Sequence, residues 1–488
     1  MSEYILLVEP AYRSKYPPLG LMKIAQYHRA KGDSVEFVKG LDPGRRDKCE
    51  WDRIYVSTLF TYDWAQTVKT VKYYRYSAKE PCSENVFVGG ILATLMGDDL
   101  REEVGCRVVK GRLNKRGKLG YQDDEIIDGL IPDYSILDQV SYSYPAQNAY
   151  FAYSTRGCVR KCSFCAVPSL EPDYESFFPI RDIVARVDEL YGAKKDLLLL
   201  DNNVLASDRF DAIIDEIKAS GFEKGATLRY KSRSGQSVSA KRHVDFNQGL
   251  DARLLTEEKM ERLSEIAIRP LRIAFDSISY KDLYEEKIRM AAKYGLGYLS
   301  NYILFNYKDR PEEFYQRLRI NLELNQELGL QIFSFPMRYI DLKSKDRLVR
   351  TPGNLGEYWN EKYLRAIQTV LVATRGVVGT KLRFFKKAFG RDLDGFLKIL
   401  IMPEDYIQNR FAREADGSTE RWWKQFCDLS TSDREMVLCI VHRNNFRSFD
   451  RKAPSKAALQ VLEHYEPSSR GQFELEYDWE SMLRQEIA

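Results

Sequence analysis

The sequence predicts an α/β chain in three parts: a parallel α/β unit over residues 1–140, a central strand–helix alternation with six strands over 141–345, and a mainly helical part over 346–488. Three observations predict it. Short apolar runs bounded by glycine and turn residues alternate with amphipathic runs at helical spacing through the first two parts, which is the pattern of a parallel sheet or barrel. Beyond about residue 345 the pattern turns to helices alone. Cys158, Cys162 and Cys165 follow the first central strand, where parallel α/β architectures collect ligands at the carboxyl ends of strands.

In the first part, strands are expected at residues 4–8, 34–38, 53–57 and 85–88, the last running into Gly89 and Gly90, with an amphipathic helix over 19–30 that ends near Gly32. In the central part, an aromatic-rich strand over 148–154 feeds the cysteine segment. A helix over 180–191 and a strand over 196–200 follow, the strand ending in Asp201, Asn202 and Asn203. The helix over 210–220 closes on Gly221, and a strand over 243–247 leads to a helix over 256–266 with Glu257 and Glu258 at the positive end of its dipole. Strands then recur at 271–275, 298–305 and 330–335, with helices over 284–294 and 311–328 between them.

The segment between the second and third central strands is read as a flexible loop near the barrel mouth. Arg229, Lys231, Arg233, Lys241, Arg242 and His243 interrupt a Ser/Gly-rich stretch with no acidic residue between Lys224 and Asp245. Such a loop suits an anionic substrate. In the last part, helices are expected over 358–373, 394–401 and 419–428; the aromatics among Lys381–Phe389 are at helical spacing and suit a core. From Arg443 onward the chain reads as polar and irregular.

The cysteine run carries the chemistry. Its C-x3-C-x2-C spacing supplies three thiolates, one fewer than a structural zinc or an electron-transfer cluster takes, so a cluster with one open iron is implied. Cys49, Cys82, Cys106, Cys427 and Cys439 stand alone, and His28, His243, His442 and His464 are scattered. A zinc site completed by one of these is the competing reading, and with it a non-catalytic zinc or iron–sulfur protein that engages nucleic acid.

The run resembles the signature of the radical S-adenosylmethionine (SAM) enzymes, including the aromatic Phe164 before the last cysteine. The resemblance implies a partial (β/α)6 barrel, a [4Fe–4S] cluster on Cys158, Cys162 and Cys165, and SAM on its open iron. It also implies the chemistry: reductive cleavage of SAM to a 5′-deoxyadenosyl radical that abstracts hydrogen from a substrate, with the cofactor supplying the hard step. Asp201, Asn202 and Asn203 stand where the family holds the methionyl amino group, although the family's glycines are missing there. Asn247 to Arg253 resembles the segment after the third strand in the branch with an N-terminal cobalamin-type domain. Gln248 and Arg253 are thereby implied to approach SAM, Arg253 by pairing with its carboxylate. Asp276 and Asn306, after the fourth and fifth strands, are weaker candidates for the same site.

Pro17 to Leu21 and the Gly89–Gly90 pair resemble the cobalamin-binding-like Rossmann domains fused to such barrels. Glycines there would admit a corrin or serve as a tight turn. The usual Asp-x-His-x-x-Gly segment is missing; His28 is expected to be a surface or half-buried helix residue. Cobalamin therefore stays open, and with it methyl transfer as against rearrangement or hydrogen abstraction without it. The lone cysteines offer no second cluster site, which disfavours methylthio transfer and auxiliary-cluster peptide maturation.

Composition fits an oxygen-sensitive cytoplasmic enzyme served by a reductant such as flavodoxin or ferredoxin. No apolar run is long enough for a bilayer, and cysteines in a cluster motif belong in a reducing compartment. With 75 basic against 71 acidic residues, net charge +4 does not by itself indicate a nucleic-acid partner.

Overall fold

The protein is described from a computed structural model covering residues 2–48, 51–121, 126–231, 236–347, 353–444, 446, 449–466, 479, 482 and 483. Cys49 and Arg233 lie outside the described residues. The chain divides into two compact units: residues 1–272 with 341–347, and residues 273–340 with 348–488.

The first unit opens with β1 (Tyr4–Glu9), β2 (Ser34–Lys39), β3 (Arg53–Thr58), β4 (Val86–Gly90) and β5 (Arg107–Val109), all parallel, in the order β2-β1-β3-β4-β5. Ile5 to Val8 are wholly buried because helices cover both faces, among them Leu19–Ala30 and Trp64–Tyr74. This is a doubly wound sheet of the Rossmann-like kind, whose order reverses between β1 and β3. Gly90 has φ +113, and a Cβ there would sit 2.2 Å from the Thr58 carbonyl oxygen, so the glycine serves close strand packing.

The same unit continues into β6 (Ala149–Ala152), β7 (Asp196–Leu199) and β10 (Val244–Phe246), parallel in the order β10-β7-β6, followed by the short β11 (Leu271–Arg272). Helices Arg181–Tyr191, Phe210–Ile217 and Glu257–Ser264 make the crossovers, the last capped by the Thr256 side chain, which accepts from the Lys259 amide. Between β7 and β10 the expected flexible loop is an antiparallel ribbon of β8 (Thr227–Lys231) and β9 (Ser237–Lys241). Residues 341–347 also belong here: Lys345 lies over the Trp64 ring and Arg347 over Tyr62.

The second unit holds β12 (Tyr298–Phe305) and β13 (Gln331–Arg338), parallel in register over eight residue pairs, with helices Lys281–Lys293 and Pro311–Leu328. All six central strands expected from the sequence are present. Helices from Glu361–Ala373 to Lys456–Glu463 follow, the last of them in the stretch expected to be irregular. Phe384, Phe385 and Phe389 are buried in the apolar core, as their spacing predicts.

Candidate active site

Because β6, β7 and β10 are parallel, their carboxyl ends bring residues 153–158, 200–203 and 247–253 to one edge. Asp201 joins the first two segments. Its Oδ1 accepts from the Ser154 amide (2.9 Å), the Ser154 hydroxyl (2.8 Å), the Thr155 hydroxyl (2.7 Å) and the Thr155 amide. Burial pushes the Asp201 carboxyl up, against these donors, which pull it down. Asp201 thus fixes the chain two residues before the loop that carries the first cysteine.

That loop is folded tightly. Gly157 has φ +72, and a Cβ there would lie 2.2 Å from the Asp173 carbonyl oxygen, so only glycine fits directly before Cys158. Glu171 closes the loop from the far side of the cysteine run. Its Oε2 accepts from the Gly157 amide (2.7 Å) and Asn202 Nδ2 (2.8 Å), and its Oε1 pairs with Arg156 (2.7 Å). Arg156 also pairs with Asp128 at 2.5 Å and stacks on the Tyr153 ring. Asp128 further binds Arg112 (2.8 Å) and Lys23. Burial alone would raise the Asp128 carboxyl, but Arg156, Lys23 and Arg112 outweigh it and hold the group at about 2. Burial lowers the Lys23 ammonium to about 8.

Cys158, Cys162 and Cys165 are all half-exposed, with no disulfide, and the Cys165 amide closes a turn on the Cys162 carbonyl (3.0 Å). Two N–H groups point at the Cys158 sulfur: Asn203 Nδ2 at 3.4 Å and the Arg160 amide at 3.3 Å. Phe164 is half-buried between the second and third cysteines. A single zinc on three cysteines would draw the sulfurs to about 3.8 Å of one another. Among the described residues the trio of His, Cys, Asp and Glu side chains gathered closely enough to share one ion is Glu3, His28 and Asp33. The donor set and the amides on Cys158 Sγ fit a cluster whose thiolates bind separate irons.

Two buried acceptors at this edge have no hydrogen-bond partner among the described residues, Asp201 Oδ2 and Asn203 Oδ1. Buried acceptors of this kind are rare unless a ligand completes them. Asn202 spends its amide on Glu171 and so holds the loop. Gln248 is exposed, whereas its neighbour Asn247 is buried and accepts from Tyr16 at 2.7 Å. Arg253 forks onto Asp251 (2.6 and 3.1 Å), which also pairs with Arg160 at 3.1 Å. A carboxylate ligand would therefore share Arg253 with Asp251.

Asp276 and Asn306 belong to the second unit. The Asp276 carbonyl accepts from the buried Arg317 (3.0 Å). Asn306 is wholly buried at φ +64; its Nδ2 donates to the Tyr339 and Asn354 carbonyls (2.9 and 2.8 Å) and its Oδ1 accepts from the Gly356 amide (2.8 Å). That side chain is spent as a clamp on the chain that follows β13. Sequence reasoning missed Gly157, Glu171, Arg156 and Asp128. The Arg-Gly pair directly before Cys158 was the available signal; nothing in the spacing marks the other two.

Two expectations are corrected. His28 is wholly buried rather than at the surface or half-buried, because Nδ1 binds Asp33 (2.7 Å) and Nε2 binds the Tyr55 hydroxyl (3.0 Å). Burial lowers its pKa. It lies with Glu3 and Asp33 before the starts of β1 and β2, at the opposite end from the β1/β3 switch point where such sheets take ligands. At that switch point Glu9 is buried, bound by Tyr144 and by Lys39 (2.8 Å). These residues do not provide the histidine of a ligated cobalamin. The second correction concerns the basic segment. Arg242 beside β9 donates to the Lys194 carbonyl just before β7 (3.0 Å), and the Leu197 amide donates to the His243 carbonyl (2.8 Å). The ribbon therefore joins the sheet at its amino edge, away from the cysteines.

Residues 153–318, a span that includes the cysteine run and all three strand-end segments gathered here, match the Radical SAM superfamily model. No curated protein matches the chain. Among solved structures the chain is similar to the radical SAM methyltransferase TsrM from Kitasatospora setae with cobalamin and a [4Fe–4S] cluster bound. Identity is 15% over 70% of this chain and 77% of that one, with a TM-score of 0.46. The same enzyme with tryptophan substrate and a SAM analogue gives 15%, 70%, 75% and 0.47. The cobalamin-dependent radical enzyme OxsB, with aqua-cobalamin and SAM bound, gives 12% identity over 95% of this chain and 75% of that one, at 0.46.

Proposed function

We propose that the chain is a radical SAM enzyme whose cluster is held by Cys158, Cys162 and Cys165 and whose hydrogen abstraction proceeds without a histidine-ligated cobalamin. The cluster and SAM, when bound, supply reductive cleavage to a 5′-deoxyadenosyl radical. The chain's own residues do the rest. Gly157, Glu171 and Asp201 fix the loop, Asn203 and the Arg160 amide stabilise the Cys158 thiolate, and Asp201 Oδ2 and Asn203 Oδ1 accept from the SAM ammonium. Arg253, exchanging part of its fork on Asp251, takes the carboxylate. The observation that carries this reading is the pair of orphaned acceptors beside a sulfur that receives two N–H donors.

A reductant such as flavodoxin or ferredoxin and a cytoplasmic setting suit half-exposed thiols that must stay reduced. No described helix is long and apolar enough to cross a membrane. The test is anaerobic incubation of the reconstituted protein with SAM and dithionite, with 5′-deoxyadenosine measured by mass spectrometry. Product that disappears in Cys162→Ala supports the proposal. A protein that takes up zinc in place of iron and sulfide and yields no product supports the binding-protein reading instead.

A further inference from the structure

The β8–β9 ribbon has no part in the site just described. Its register pairs Thr227 with Lys241, Leu228 with Ala240, Arg229 with Ser239 and Tyr230 with Val238. Directly paired side chains share a face, so the ribbon has two unlike faces. Leu228, Val238 and Ala240 lie on one, half-buried, together with the more exposed Tyr230; Thr227, Arg229, Ser237, Ser239 and Lys241 lie on the other, all exposed. Alternation with one face covered sets the register and leaves the basic face to solvent.

The cations on that face are uncompensated. Among the described residues neither Arg229 nor Lys241 forms an ion pair, and neither does Lys224 at the ribbon's foot. The nearby acids are accounted for: Glu265 pairs with Lys218 and Arg262, Asp196 with Lys195 and His243, and Asp245 with Arg272, while Glu223 is exposed. Arg242 is not part of the surface, since it lies over the Phe222 ring and donates to backbone carbonyls.

We propose that this ribbon docks the phosphate backbone of a nucleic-acid strand. Arg229 and Lys241 are diagonal neighbours, about 7–8 Å apart; Thr227 stands opposite Lys241 and Ser239 opposite Arg229, with Ser237 one step further along the same face. Cations interleaved with hydroxyls are the donor set that phosphates draw from proteins. An acidic protein surface would need carboxylates at fixed positions and would leave those hydroxyls unused. The ribbon sits at the amino edge of β7 and β10, so it binds a tract remote from the cysteine edge and holds a long chain rather than the reacting group.

The test is fluorescence anisotropy of the full chain with a fluorescein-labelled 20-nucleotide single strand, as RNA and as DNA, between 50 and 200 mM salt. The wild type is expected to bind at least one of them. The Arg229→Ser/Lys241→Ser variant should lose about tenfold or more in affinity, with the salt slope reduced by about 1.4 for two lost phosphate contacts. Arg229→Lys/Lys241→Arg should retain the slope, and substrate-free 5′-deoxyadenosine formation should be the same in all three, which reports intact folding. Three results would each overturn the proposal: no binding at 50 mM salt, unchanged binding in the serine variant, or displacement of the strand by poly-glutamate of equal charge as effective as displacement by unlabelled strand.

Discussion

Asn203→Ala should make the cluster harder to reduce. Asn203 Nδ2 stands 3.4 Å from Cys158 Sγ, and among the described residues the other N–H donor to that sulfur is the Arg160 amide at 3.3 Å. An N–H group on a cluster thiolate stabilises the reduced, more negative state more than the oxidised one, so its loss lowers the potential. A hydrogen bond to a charged acceptor contributes about 1.5–3 kcal/mol, and roughly half of that, ~1 kcal/mol, differs between the two redox states. At 1.36 kcal/mol and 59 mV per factor of ten, the shift is about 40 mV in the negative direction. Asn203→Asp, which replaces the donor with a charged acceptor of the same shape, should move it further the same way. The assay is an anaerobic redox titration followed by electron paramagnetic resonance on SAM-free protein of matched iron and sulfide content. Equal potentials in wild type and both variants would show that the amide does not act on the thiolate.

Gly157→Ala should lose most of its cluster, since a Cβ cannot occupy the 2.2 Å gap to the Asp173 carbonyl without moving Cys158; iron and sulfide analysis after reconstitution would show it, and full loading would refute it. Asp128 is held at about 2 against an ordinary 3.8, so its contribution is complete above about pH 4 and is lost as pH falls through 2. That shift corresponds to about 2 kcal/mol, and Asp128→Asn should cost at least this at pH 7 while removing the corresponding acid limb, measured by urea unfolding at several pH values. Asn306→Ala should destabilise by about 2–4 kcal/mol, because the Gly356 amide and two carbonyls lose their partner. If Asn306 is a clamp, equilibrium dialysis of SAM at a denaturant-free pH 7 will be unaffected; weakened SAM binding at unchanged urea midpoint would make it a ligand instead.

Elements with a strong period were legible in the sequence. The helices Leu19–Ala30 and Pro311–Leu328 and the strand Tyr298–Phe305 form over the expected residues, because each has an apolar face or run with a clear stop such as Gly329 at φ +64. The β8–β9 ribbon was not legible: its serines, lysines and arginines read as loop composition, and only its half-buried Leu228, Val238 and Ala240 betray the alternation. His28 was misplaced because a histidine at the end of a helix says nothing of Asp33 and Tyr55, which meet it only in the folded unit. The spacing of the three cysteines was evident in the sequence. The division of labour among Asp201, Asn202 and Asn203 was not, since it depends on which backbone donors and carboxylates each side chain faces.

The supports of the cysteine loop come from both halves of the first unit, and this has a consequence for how the site is kept in shape. Lys23 lies on the helix that follows β1, and Arg112 and Asp128 follow β5; through Asp128 they reach Arg156, then Glu171, then the Gly157 amide one residue from Cys158. Each charge in this chain is largely buried and each is paired, so removing one weakens the compensation of its partners in a poorly solvated place, where a pair matters more than an exposed one. The N-terminal sheet therefore acts on the cysteines as a fixed electrostatic support, independent of what its β1/β3 crevice binds. Lys23→Met isolates this role. It removes one cation and keeps the stem, so Asp128 should titrate higher and cluster loading should fall, although Lys23 touches none of the three cysteines; unchanged loading and an unchanged acid limb would show the support to be dispensable.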